Sequence, residues 1–217
     1  MNLLAFDTAT PATVVGAVRG ERHAERRHDP LSGERPGHAT RLLGLVDEAL
    51  AEVELELGDL DRLGVGVGPG SFTGLRIGIA TARALAQSAG VPLAGVSTLA
   101  ALAAGAADEG GPQRAVLAVI DAGRGEGFAA AFRDARPLAK PAALAPAALA
   151  DLAATLEAPL AVGGGAVRFR AQLRAAGAAV PADESPLHRL DGRQLSRLAA
   201  AAETADRDTV LPHYTRA

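Results

Sequence analysis

Three short stretches carry residue types suited to a phosphorylated ligand. Asp7-Thr-Ala-Thr10 follows an apolar run and sets a carboxylate and hydroxyls at a tight turn. An aspartate leaving a strand in this way can hold a hydrated Mg²⁺ while turn amides face phosphates. Asp121-Ala-Gly-Arg-Gly125 offers the same parts, with glycines that let a backbone approach closely. Gly163-Gly-Gly165 lies between a predicted strand and a predicted helix, where an adenine or ribose ring could rest beside a helix N-terminus. Asp7, Thr8, Thr10, Asp121, Gly123, Gly125, Gly163 and Gly164 are therefore the candidate residues of a cleft for ATP or ADP with Mg²⁺. Each stretch alone also reads as ordinary turn chemistry, and nothing in the sequence requires a cofactor.

Gly68-Pro-Gly-Ser-Phe-Thr-Gly-Leu-Arg76 is the most unusual stretch. It lacks the Lys and Ser/Thr of a phosphate-binding P-loop and gives no clean dinucleotide fingerprint. It reads as a strand-to-helix turn with Ser71 or Thr73 as the helix cap. Gly74, Gly78, Ala82, Ala86 and Gly90 then recur every four residues, a ridge of small side chains. Interior glycine costs a helix about 1 kcal/mol relative to alanine, so Gly78 implies close packing, against the chain's own sheet or against a second chain. The catalytic inventory is thin. The five histidines (His23, His28, His38, His188, His213) form no H-x-x-x-H or H-E-x-x-H pair, there is no cysteine, and no G-x-S-x-G elbow occurs. No catalytic or metal-ligating residue is assigned.

The elements that must position these stretches follow from hydrophobic periodicity. Strands are expected at 3–6, 13–18 and 21–27, the last one polar, then a loop over 29–38. Leu42, Leu43, Val46, Ala49, Leu50 and Val53 form a helical stripe. Strand 63–67, helix 75–89, strand 93–96 and a helix to about 107 complete the first half. After the Gly-rich break at 110–112 the pattern restarts, with strands at 115–120 and 127–133, a helix at 146–155, a strand at 160–162 and helices at 167–176 and 191–204. Both halves begin with an apolar strand, an Asp, a small-residue turn and a returning strand. The expected fold class is α/β, a duplicated βββαβα fold of the ASKHA (actin, Hsp70 and sugar-kinase) type, with subdomains 1–109 and 110–217.

The chain's 217 residues are ample for a buried core, and 48% hydrophobic with 22% charged residues is ordinary globular composition. The net charge of −3 shows no basic excess of the kind that grips RNA unaided. No apolar stretch approaches the ~20 residues of a membrane helix, and the short N-terminal apolar run, lacking a basic flank, reads as a strand. A cytoplasmic location follows by elimination.

The chain resembles the TsaB family, the bacterial partner subunit in tRNA threonylcarbamoyladenosine (t6A) synthesis. The resemblance rests on Leu3-Leu-Ala-Phe-Asp-Thr-Ala-Thr10, His38-Ala-Thr-Arg-Leu-Leu43, Gly66-Val-Gly-Pro-Gly-Ser-Phe-Thr-Gly-Leu-Arg-Ile-Gly-Ile79, Gly95-Val-Ser-Thr-Leu99, Ile120-Asp-Ala-Gly-Arg-Gly-Glu126 and Pro212-His-Tyr-Thr-Arg216. Residues 135–205 add little beyond the glycine triplet. The resemblance implies a non-catalytic subunit that activates a TsaD-type paralogue. With a TsaE-type ATPase, that paralogue threonylcarbamoylates N6 of adenosine 37 in tRNAs reading ANN codons. It places the association surface on the N-terminal helices, with Phe72, Thr73, Arg76, Ile77, Gly78 and Ala82 as candidates, and favours a second chain as the neighbour of the glycine ridge. Contact with tRNA would then be indirect, through the complex, and the free subunit could form a homodimer. The alternatives are a stand-alone ATPase or kinase using Asp7 and Asp121, and a peptidase, which related families were once thought to be.

Overall fold

Alternation of side chains decides the first sheet. In the computed structural model, described over residues 1–31, 33–107, 113–134 and 136–215, β1 (Asn2–Asp7), β2 (Thr13–Arg19) and β3 (Arg22–His28) form an antiparallel meander, and β4 (Arg62–Gly68) and β5 (Leu93–Ser97) add in parallel, giving the order β3-β2-β1-β4-β5. Leu4, Phe6, Val15, Ala17, Leu63 and Val65 share one core with Leu42, Val46, Ala49 and Leu50 of α1 (His38–Glu52) and Ile79, Ala82 and Ala86 of α2 (Phe72–Ala89). Burying each large aliphatic side chain there contributes about 1.5–3 kcal/mol.

The other face of the sheet is closed from the far end of the chain. Residues of opposite parity, Gly16 and Gly64, point towards α7 (Gly192–Ala201), and an added Cβ at either would run into Gly192 or Ala199. Glycine inside a strand marks close approach by another backbone. Asp191 caps α7 by accepting from Gln194 N–H (2.9 Å), and Glu25 Oε2 accepts from Gly192 N–H (2.7 Å). Arg62 Nη1 donates to the carbonyls of Ala199 (2.9 Å), Ala200 (2.7 Å) and Ala202 (2.9 Å), satisfying groups at the helix end that have no partner within the helix. Met1–Thr98 and Asp191–His213 consequently form one unit, and Leu99–Leu190 with Tyr214–Ala217 the other. This corrects the expected division: the last helix belongs with the N-terminal sheet. The boundary at 109/110, the Gly-rich break at 110–112 and Arg216 lie outside the described residues.

α3 (Thr98–Ala106) leads to the second sheet, built on the hairpin of β6 (Val116–Gly123) and β7 (Glu126–Arg133). β8 (Arg136–Pro137) and β9 (Ala142–Leu144) both pair with β7, and β10 (Leu160–Val162) joins β6 in parallel. With α4 (Pro146–Ala154) between β9 and β10, the βββαβα order of the first half returns, its third strand broken into two pieces. Leu117, Val119, Ala129, Leu149, Phe169 and Leu173 form its core. The helix expected over 167–176 is two helices, α5 (Gly164–Arg168) and α6 (Arg170–Ala175), breaking at the buried Phe169. It starts early because Gly165 packs against the backbone of β6, where a Cβ would lie 2.9 Å from the Ile120 carbonyl carbon.

Candidate functional site

The Asp7–Thr10 turn and the Gly68–Arg76 stretch prove to be one structure. Ser71 N–H donates to Ala9 O (2.7 Å), and Thr8 Oγ1 donates to Gly74 O (2.7 Å), so the Asp7–Thr10 turn is docked on the loop that opens α2. Ser71 is the cap, accepting from Gly74 N–H (3.2 Å), and Gly90 ends the helix in the left-handed region at φ 70°. A Cβ on Gly74 would overlap Thr8 O, and one on Gly78 would overlap Thr8 Oγ1. Ala82 and Ala86 are buried in the same core. The small-residue ridge thus faces the chain's own β1–β2 turn and sheet, which corrects the expectation of a second chain there and removes Gly78 and Ala82 as surface candidates. The outward side of the helix holds Phe72, Thr73 and Arg76, with Ile77 half-buried. The Arg76 guanidinium carbon stands 3.9 Å from the centre of the Phe72 ring, an arrangement in which the cation is attracted to the ring face.

Asp7 is fully buried. Its Oδ1 accepts from Ala9 N–H (2.7 Å), its Oδ2 accepts from Thr98 Oγ1 (2.7 Å), and Gly66 passes so close that a Cβ would collide with the carboxyl. Burial pushes its pKa above the ordinary 3.8, against the opposing pull of the Thr98 and Ala9 hydrogen bonds. A carboxyl with no exposed surface does not fit the hydrated Mg²⁺ expected at this position. Thr8 is likewise buried and bonded within the chain, and Thr10 is half-buried. In the second unit, Asp121 is exposed, but both its oxygens receive Arg168 Nη1 (2.6 and 2.7 Å), while Oδ1 also accepts from Gly123 N–H (2.8 Å). Gly123 and Gly125 flank Arg124 in a run of positive φ that turns the hairpin. Gly163 (φ 100°) donates its N–H to His188 Nδ1 (3.1 Å), and Gly164 has open space where a Cβ would stand. Thr98, Arg168 and His188, the partners of these residues, were not legible as such, because each lies far along the chain from the group it touches.

The buried state of Asp7 has a measurable consequence. Because the folded pKa is raised, the folded state holds this proton more tightly than the unfolded chain. Its stabilising effect is full below pH 3.8 and is lost as pH rises through the higher folded value. Asp7→Asn keeps an acceptor for Ala9 and a partner for Thr98 without a charge. The melting temperature of this variant relative to the parent is therefore expected to rise as pH increases from 3.8 through the raised folded value. A flat or falling difference in thermal melts would contradict a buried, proton-retaining carboxyl. His38 titrates in the opposite sense but equally in both proteins, so it cancels. Its pKa is held below 6.5 by burial and by the charge of His28, against a Thr10 backbone contact.

A hydroxyl–imidazole pair does occur, Thr13 Oγ1 with His38 Nδ1 at 2.8 Å. Thr13 is fully buried and His38 only 3% exposed, so the pair joins β2 to α1 and cannot meet a substrate. Among the described residues, no group of three or more His, Asp and Glu side chains could hold a metal, and no helix is long and apolar enough to cross a membrane.

The model of the family TsaD, tRNA N6-adenosine threonylcarbamoyltransferase, matches residues 34–174. The tRNA threonylcarbamoyladenosine biosynthesis protein TsaB of Escherichia coli is 41% identical over 133 residues, 61% of this chain and 55% of that protein. The Haemophilus influenzae protein of the same name is 42% identical over 56% of this chain and 50% of its own length. The chain thus spans about half the length of these curated relatives. A Pseudomonas aeruginosa crystal structure, described as an uncharacterised protein with similarity to peptidase YeaZ, superposes with a TM-score of 0.84 at 30% identity, covering 99% of both chains. An ROK hexokinase from Thermus thermophilus superposes at 0.54 with 13% identity over 93% of this chain and 98% of its own, a likeness of fold alone. The fold is that of the ASKHA class, in two subdomains.

Proposed function

The chain belongs to the TsaB (YeaZ-like) family, and from that premise we propose that it is a non-catalytic subunit of t6A synthesis. It binds and activates a TsaD-type threonylcarbamoyltransferase acting on N6 of adenosine 37 in ANN-decoding tRNAs. The observation that carries this reading is the division of α2. One side, Gly74, Gly78, Ala82 and Ala86, is closed against the chain itself, while Phe72, Thr73 and Arg76 stand outward. An exposed aromatic braced by an arginine is the composition found at the centres of protein interfaces. Buried Asp7 weighs against a stand-alone kinase built on that carboxylate, and the buried Thr13–His38 pair supplies no peptidase nucleophile.

The test is reconstitution with a TsaD-type partner, a TsaE-type ATPase, a threonylcarbamoyl-adenylate synthase, ATP, threonine, bicarbonate and tRNA. Modified adenosine 37 is expected only when both this chain and the TsaD-type partner are present. Undiminished modification without the chain would overturn the proposal, as would modification with the partner omitted.

A further inference from the structure

α7 covers only part of its face of the first sheet. Beside it lies a cavity of about 350 Å³, within the size range of small-molecule pockets, about 300–1,000 Å³. Its floor is apolar, made by Leu3 of β1 and Val18 of β2. His23 of β3 is the register partner of Val18 and so lies on the same face, where its Nε2 is buried and makes no hydrogen bond. Arg193 and Arg197, four residues apart on α7, form the opposite wall. Both are exposed, and neither has an ion-pair partner among the described residues. At the rim Arg22 is already paired with Glu54 (2.9 Å), and Glu21 offsets one of the two remaining positive charges.

We infer that this cavity binds a small carboxylic acid with an apolar body. The arginine pair would take the carboxylate, since guanidinium groups match its two oxygens. The His23 ring, whose Nε2 is itself closed off from solvent, would flank the ligand, and Leu3 and Val18 would receive the hydrocarbon. Among its lining side chains two unpaired positive charges face one negative, which suits a monoanion better than a phosphate dianion. A concave, partly apolar site favours a small molecule over an extended polyanion. The inference is independent of the role proposed for α2, which uses none of these residues.

The experiment is an amide NMR titration of the full chain with hexanoate, hexyl phosphate, hexanol and inorganic phosphate in turn. Saturable shifts confined to residues around Leu3, Val18, His23 and α7 are expected with hexanoate, at a dissociation constant of about 1 mM or tighter. Weaker binding is expected from the other three. Arg193→Ala with Arg197→Ala should weaken hexanoate binding about 10-fold or more. The exposed arginines leave the fold intact when replaced, which the same spectra report. No saturable hexanoate shifts, shifts unchanged in the double variant, or tighter binding of hexanol, inorganic phosphate or hexyl phosphate would each overturn the inference.

Discussion

Gly74→Ala is expected to cost about 3 kcal/mol or more of folding stability, although helix propensity alone would make it stabilising by about 1 kcal/mol. The reason is position. A Cβ at Gly74 would overlap the Thr8 carbonyl oxygen, a backbone atom held by its own turn and by the Thr8–Gly74 hydrogen bond. Relief requires α2 to lift from the β1–β2 turn. That movement would break the Ser71–Ala9 bond and open the core around Ile79 and Ala82. Against an ordinary domain stability of about 5–15 kcal/mol, such a loss is large. Urea unfolding of Gly74→Ala beside Ala84→Arg, on the exposed side of the same helix, separates the two faces. Ala84→Arg should melt like the parent. A Gly74→Ala protein as stable as the parent would mean that α2 is not seated on the turn as described.

On the outward face the expected effect is on assembly. Phe72→Glu should leave the fold unchanged, since Phe72 is 52% exposed and starts the helix rather than lining its core. An acidic residue in the first turn is also favoured by the helix dipole. Association with the TsaD-type partner is expected to weaken about 100-fold or more, the scale of losing a buried aromatic anchor, about 2.7 kcal/mol. Calorimetry of the purified pair, with circular dichroism of the variant as the control, reads both effects. Unchanged affinity in a folded variant would remove this face of α2 from the interface.

These two variants also mark how far sequence reading reached. The α1 stripe and the short apolar runs of β1, β2 and β4 were legible because one short window contains the whole signal. The ridge of α2 was legible as a close approach but not as to its neighbour, because a small side chain records proximity and not identity. Its neighbour proved to be Thr8, 66 residues from the Gly74 it bonds. Asp7 has the residue type and placement of an ion ligand, yet its role is decided by Thr98, 91 residues away, and by the missing side chain of Gly66. β8 and β9, two and three residues long, are too short to show alternation. The docking site of α7 did leave a trace, in the glycines at 16 and 64 that interrupt otherwise apolar strands. α5 and α6 could not be divided from sequence, because residues 166–175 contain no Gly or Pro and are equally compatible with one helix.

The return of α7 to the first sheet has a consequence for synthesis. A ribosome releases the chain from its N-terminus, and domains commonly fold in that order as they emerge. Here Arg62 must wait for the carbonyls of Ala199, Ala200 and Ala202, and Gly16 for Gly192. The unit begun first is therefore completed last, after nearly all of the other has been made. Throughout that interval one side of the nascent sheet stands open, and such uncovered strands are the surfaces on which unfinished chains stick to one another. The long delay between partners also makes this closure a late, non-local event in folding.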